Sequence, residues 1–166
     1  MAASPLAHVS LEVPGTSERL GELHAAVERF WEEVDRVVSR PPHDEWRLVF
    51  STALAEVASN VVRHAYRDGA VAGALHTELL AFGDRIEARF TDWGLAFDGD
   101  LSASSAPPNA VLDPDELPES GYGLSVIRAA VDELHYERTP ASPSSPHGEN
   151  RWRLLKRLPP NATSAS

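Results

Sequence analysis

Three short stretches of this chain carry side chains of a kind that bind or react. "TDWGLAFDGD" puts Asp92 at the end of an apolar run and Gly94 two residues later. An aspartate at a strand end can accept a hydrogen bond from a ligand amine, and glycine lets backbone approach closely. "ESGYGLSVIRAAVDEL" sets Gly121 and Gly123 directly before an amphipathic segment. Free N–H groups at a helix start, reached through glycine, suit a phosphate. "LAEVASNVVRHAY" places a carboxylate, an amide and an imidazole at Glu56, Asn60 and His64, each four residues after the last. At about 100° per residue, such positions drift by only about 40° and share one narrow stripe. Next to a core, those groups need partners or their burial costs free energy. Each stretch also has a plain reading: a strand-ending turn, a glycine cap, and a helix shoulder satisfied by backbone and solvent.

The elements that must position these residues follow from the apolar spacing. Val9, Leu11 and Val13 alternate before Pro14-Gly15, which suits a strand closed by a turn. Thr16 or Ser17 is placed to cap a helix running to about Val38, with Leu20, Leu23, Val27, Phe30, Trp31, Val34 and Val38 at helical spacing. "SRPPHDE" breaks it, and a second helix runs from about Asp44 to Tyr66, stopped by Arg67-Asp68-Gly69. Its apolar face is Trp46, Phe50, Ala53, Val57 and Val61.

"ALHTELLAFGDRIEARFTDWG" then reads as two strands joined at Gly83-Asp84. Ile86, Ala88 and Phe90 alternate with Glu87 and Arg89, so one sheet face is expected covered and the other wet. Residues from about 97 to 120 turn rich in Asp, Ser, Pro and Asn, a length typical of a functional lid or a disordered segment. A third helix opens at "GYGLSVIRAAVDEL", with Leu124, Ile127, Val131 and Leu134 expected toward the core. Strands near His135–Arg138 and Asn150–Leu158 close the fold. The simplest packing is an α+β sandwich of two layers: a mixed, mostly antiparallel sheet covered on one face by about three helices.

Composition bounds the rest. A chain of 166 residues suits one domain, expected over 1–158, with 159–166 as a disordered tail. Fifteen basic against twenty-five acidic side chains, a net charge of −10, argue against a broad nucleic-acid or anionic-membrane surface. A small nucleotide pocket stays compatible, because backbone N–H groups and a metal can meet the charge. The absence of cysteine excludes disulfides and thiolate chemistry. With no membrane-length apolar run and no signal-peptide pattern at "MAASPLAHVSLEV", a cytoplasmic location is expected.

The order of the motifs is more telling than any one of them. "AEVASNVVRHAY", "FTDWGLAFD" and "GYGLSVIRAAVDEL", with a long polar segment between the last two, resemble the GHKL (Bergerat-fold) ATPase superfamily. Within it the small anti-sigma-factor serine/threonine kinases look most similar, over roughly Val9 to Leu158. The resemblance implies ATP and Mg2+ as cofactors. Asn60 matches the metal-ligating Asn, and an Asn oxygen is a hard ligand suited to Mg2+. Glu56 matches the general base that takes a proton from a Ser or Thr hydroxyl. Asp92 matches the adenine-recognising Asp, with Gly94 letting backbone close over the base. Gly121 and Gly123 match the glycines around the phosphates, with Leu124 beside them, and the 97–120 segment matches the ATP lid. His64 matches a position often occupied by His, without a catalytic role.

The chain departs from that pattern in three places. Where the family's last strand starts with a Gly-Thr pair, this chain has Glu149 and Asn150. Asp113, Asp115, Glu116 and Glu119 crowd the lid end, and "TPASPSSPHG" is longer than a tight turn. The resemblance implies a kinase that phosphorylates an antagonist protein and sequesters a sigma factor, without direct contact to nucleic acid or membrane. The alternative is a module of the same fold that gates a partner by nucleotide binding and does not catalyse. A scaffold that has lost nucleotide ranks third. Self-association, as a homodimer, is left open, with Phe30 and Trp31 serving either a surface or the core.

Overall fold

The computed structural model describes residues 3–66, 73–99, 101 and 122–160. Among these, five strands form one sheet in the order β1-β2-β3-β5-β4, where β1 is Ala7–Pro14, β2 Ala74–Ala81, β3 Arg85–Asp92, β4 Glu133–Thr139 and β5 Glu149–Arg157. Every neighbouring pair is antiparallel, so the sheet is not mixed as the sequence suggested. Three α-helices accompany it: α1 (Leu20–Val37), α2 (Asp44–Asn60) and α3 (Tyr122–Ala130). The class is the expected α+β one.

The apolar stripes explain the layering. Leu23, Val27, Phe30, Trp31 and Val34 of α1 are buried, as are Trp46, Phe50, Ala53, Leu54 and Val57 of α2. They meet Leu75, Leu79, Ile86, Ala88, Phe90 and Leu154 from one sheet face, all at 0–1% exposure. Phe30 and Trp31 therefore belong to the core. Trp31, Trp46 and Phe50 pack ring against ring, with Trp46 stacked on Phe50 at 5.7 Å. Arg47 joins the helices from outside through its ion pair with Asp35 and its 5.4 Å stand over the Trp31 ring.

Three boundaries differ from the sequence reading. Thr16 makes no side-chain cap bond; a 3-10 turn, Ser17–Arg19, precedes α1, which begins at Leu20. The second helix keeps α geometry only to Asn60 and continues as a π-helical turn, Val61–Ala65; its expected stop at residues 67–69 lies outside the described residues. The third helix ends at Ala130, and Leu134 sits on β4. The reason is local: Lys156 Nζ takes the Ala130 carbonyl at 2.7 Å, and Asp132 N–H donates to Leu155 O at 2.9 Å, drawing the chain onto β5.

The Gly83-Asp84 hairpin forms as expected, closed by Phe82 N–H to Arg85 O at 2.8 Å. The second sheet face is less wet than its sequence suggests. Glu87, expected in solvent, is 1% exposed, held between Arg85, Arg89 and Arg153. In register with it, Leu80 and Leu155 are buried on the same face.

Candidate functional site

The register between β3 and β5 sets Asp92 opposite Asn150 at the end of the central strand pair. Both are about 98% buried and both face the helical layer, two residues on from Phe90 and before Trp152. Asp92 Oδ1 accepts twice, from Asn150 Nδ2 at 2.7 Å and from the Gly94 backbone N–H at 3.0 Å. Its other oxygen, Oδ2, is buried and has no hydrogen-bond partner among the described residues. Native interiors rarely leave a carboxylate oxygen in that condition, so it calls for a partner from outside the described residues, such as a water, an ion or a ligand. Burial pushes the Asp92 carboxyl above the ordinary carboxylate range, against the pull of Asn150, the Gly94 N–H and the Arg138 charge.

The turn after Asp92 is pressed onto the end of the motif helix. A side chain at Gly94 would fall 2.4 Å from the Ala65 carbonyl oxygen, so only glycine fits. Leu95 N–H donates to that same carbonyl at 2.9 Å. Tyr66 makes the second clamp: its hydroxyl donates to Ala74 O at 2.6 Å and accepts from Trp93 N–H at 3.1 Å. Burial drives this phenol up to about 12, so it remains a neutral donor and acceptor. The ring lies between Gly15 and Gly73, where any side chain would collide with it. The π-helical turn lies between Asn60 and this clamp, and such turns inside α-helices recur at functional sites. His64 lies within it.

At the other end of the row stand Glu56 and Asn60, in the last two turns of α2. The start of α3 rests on them: a Cβ at Gly123 would lie 2.9 Å from Asn60 Nδ2 and 3.0 Å from Glu56 Oε2. The glycine therefore lets a helix N-terminus approach a carboxylate and an amide directly. Leu124, next along, is partly buried against the core.

The expected site residues thus fall into two groups bridged by the π-helical turn: Asp92 with Gly94, and Glu56 with Asn60 and Gly123. Gly121 and most of the expected lid, 102–120, lie outside the described residues. The start of the lid segment is pinned. Phe97 N–H donates to Tyr136 Oη at 3.0 Å, and its ring packs edge-on against Tyr136 and Trp152.

Sequence reasoning missed four residues that hold the site together: Tyr66, Tyr136, Arg138 and Asn150. The Tyr66 contacts depend on two distant glycines, and nothing in its own motif signals them. In the sequence Asn150 stands out only as a departure from a Gly-Thr pair.

Comparison with known proteins agrees with the motif order. Residues 16–144 match the family profile described as a histidine kinase-like ATPase domain. The chain is 32% identical over 83 residues to serine-protein kinase RsbW of Bacillus cereus (strain AH187), covering 49% of this chain and 51% of that one. The protein of the same name from Staphylococcus epidermidis is 34% identical over 83 residues, 49% of this chain and 52% of that one. That of Bacillus licheniformis is 31% identical over 86 residues, 51% and 53% respectively. These alignments cover about half the length of the curated relatives. The family match spans most of the chain, from before α1 through β4, and by it this protein belongs to the histidine kinase-like ATPase domain family.

Proposed function

We propose that this protein is a regulatory protein kinase: it binds ATP with Mg2+, phosphorylates a Ser or Thr hydroxyl on a small antagonist protein, and controls a sigma factor by holding or releasing it. The observation that carries the nucleotide part is Asp92 Oδ2, a buried acceptor without a partner among the described residues, two residues before the close-packed Gly94. The adenine amine is a donor and would satisfy it; guanine offers a carbonyl acceptor at that point, and two acceptors repel. The similarity to proteins named serine-protein kinase RsbW supports the kinase class; the partner types rest on the motif resemblance alone.

In this reading Asn60 and the Gly123 cradle hold the metal and phosphate end. Among the described residues no group of three His, Asp or Glu is placed to cage a metal, so Mg2+ would draw on the Asn60 oxygen, phosphate oxygens and water. Held through Asn60, Mg2+ would supply charge neutralisation for phosphoryl transfer. Glu56 takes the proton of the attacking hydroxyl as its oxygen bonds to the γ-phosphorus and the bond to the ADP oxygen breaks. The half-exposed position of Glu56 leaves it open to a protein substrate.

Calorimetric titration with ATP and GTP, with and without Mg2+, tests the pocket. Adenine-selective binding strengthened by Mg2+ is expected, and no ATP binding at millimolar concentration would overturn the proposal. Transfer is tested with radiolabelled ATP and a candidate antagonist, comparing wild type with Glu56→Gln. Loss of transfer with ATP binding intact supports the kinase; unchanged transfer removes Glu56 from the chemistry. Nucleotide-dependent partner binding without transfer in the wild type would favour the non-catalytic module.

A further inference from the structure

Asn150 sits where the sequence departs from the family pattern, and its amide is fully engaged. Nδ2 donates to Asp92 Oδ1 at 2.7 Å and to Leu95 O at 2.9 Å, with Gly94 O at 3.4 Å. Oδ1 accepts from Tyr136 Oη at 2.7 Å and from an Arg138 guanidinium N–H at 2.6 Å. A guanidinium has donors only, so the Asn150 atom facing Arg138 must be the oxygen. The amide therefore cannot flip, and its NH2 must face Asp92.

Arg138 is itself tethered. Its second nitrogen donates to His147 O at 2.7 Å, beside Gly148, whose φ of 77° is in the left-handed region. A Cβ at Gly148 would lie 2.8 Å from Thr139 O and 3.0 Å from an Arg138 nitrogen. The connection, longer than a tight turn, thus supplies the anchor for the arginine.

We propose that Asn150, oriented by Arg138 and Tyr136, is the positioning residue for nucleobase recognition. With Gly94 N–H it saturates Asp92 Oδ1, and so presents Oδ2 alone to the amine of the base. This rests on the reading that Asp92 receives the adenine amine. A hydroxyl at position 150 has one donor and could not join Asp92 to Leu95 while also facing two donors from β4. Asn150 replaces a direct contact to the base with control of the carboxylate that makes it.

The test pairs protein variants with a ligand change. ATP is compared with purine riboside triphosphate, which lacks the 6-amine, on wild type, Asn150→Ala and Arg138→Met, by calorimetry. Wild type is expected to prefer ATP by about tenfold or more. Asn150→Ala should lower ATP affinity by about tenfold and leave purine riboside triphosphate within about twofold, so the preference collapses. Arg138→Met should show a smaller loss, about threefold, with the same dependence on the amine. It also keeps the test open if Asn150→Ala does not fold. Equal loss for both ligands, or no loss for ATP, in the folded variants would overturn the inference and leave Asn150 a structural residue. A wild type that binds both ligands equally would instead overturn the Asp92 reading, and the inference with it.

Discussion

Gly123 stands so close to Asn60 that a methyl group on it would lie 2.9 Å from Asn60 Nδ2, and the Glu56 carboxylate is at nearly the same distance. This contact joins two motifs far apart in the sequence, one closing α2 and one opening α3. In a helix, alanine is favoured over glycine by up to about 1 kcal/mol. Gly123→Ala is therefore expected to leave the melting temperature unchanged or slightly raised. The methyl must displace Asn60 or Glu56, so ATP affinity should fall by about tenfold, the size of one lost charge-assisted contact. Calorimetry beside thermal unfolding checks both; a parallel loss of stability would mean that the glycine serves packing alone.

Asp92→Asn replaces the unpartnered Oδ2 with a donor while keeping an acceptor for Asn150 and Gly94. ATP affinity should fall by about 10–100-fold, as for a hydrogen bond to a charged group. The wild-type pH profile carries the same information. The folded-state pKa of Asp92 is raised, chiefly by burial, with Arg138 and the Tyr66 phenol as its charged or titratable neighbours. The folded protein therefore binds that proton more tightly than the unfolded chain, and Asp92 contributes least stability once ionised. Amine recognition needs the free lone pair, so ATP affinity should rise as pH climbs through the raised value. Titrations of Asp92→Asn across the same range should lack that limb.

What the sequence made legible is what periodicity and local chemistry determine. The buried faces of α1 and α2 and the Gly83-Asp84 hairpin follow from residues within a few positions of one another. What it hid depends on register. Asn150 and Asp92 are 58 residues apart and meet only because β5 pairs with β3 in one alignment. The π-helical turn has no compositional mark in "VVRHA", and the Tyr66 clamp needs Gly15 and Gly73, which no spacing rule connects to it. Alternation along β3 correctly assigned Ile86, Ala88 and Phe90 to the core. It failed at Glu87 because alternation does not show that Arg85 and Arg89 of the same strand, with Arg153 from β5, enclose its carboxylate.

Glu87 gives the second pH prediction. Burial alone would raise its pKa, but hydrogen bonds from Arg153, Arg85 and Arg89 together prevail and bring it from 4.5 to about 2. The folded-state value is depressed, so its stabilisation is present above about pH 4.5 and is lost as pH falls toward 2. A shift of this size corresponds to about 3 kcal/mol between the two protonation states. Glu87→Gln should therefore destabilise the protein at pH 7 by about 2–4 kcal/mol, partly because three arginines lose their partner. Urea unfolding of both proteins should show the gap narrowing as the pH is lowered toward 2; a gap independent of pH would mean that the ion pairs contribute nothing net.

Tyr66→Phe separates the hydroxyl from the ring. The ring would still fill the slot between Gly15 and Gly73, so packing is kept. The Ala74 carbonyl and the Trp93 N–H would each lose a partner, at a cost of about 1–3 kcal/mol in unfolding free energy. Trp93 directly follows Asp92, so freeing its N–H loosens the turn that presents the carboxylate while leaving the contacts of Asn60 and Glu56 in place. The expected result is a drop of a few degrees in melting temperature and a loss of ATP affinity of about threefold to tenfold, with purine riboside triphosphate less affected than ATP. Equal weakening of both ligands would place the effect in the phosphate end, where Tyr66 makes no contact, and would show that the helix end moves as one rigid piece with Asn60.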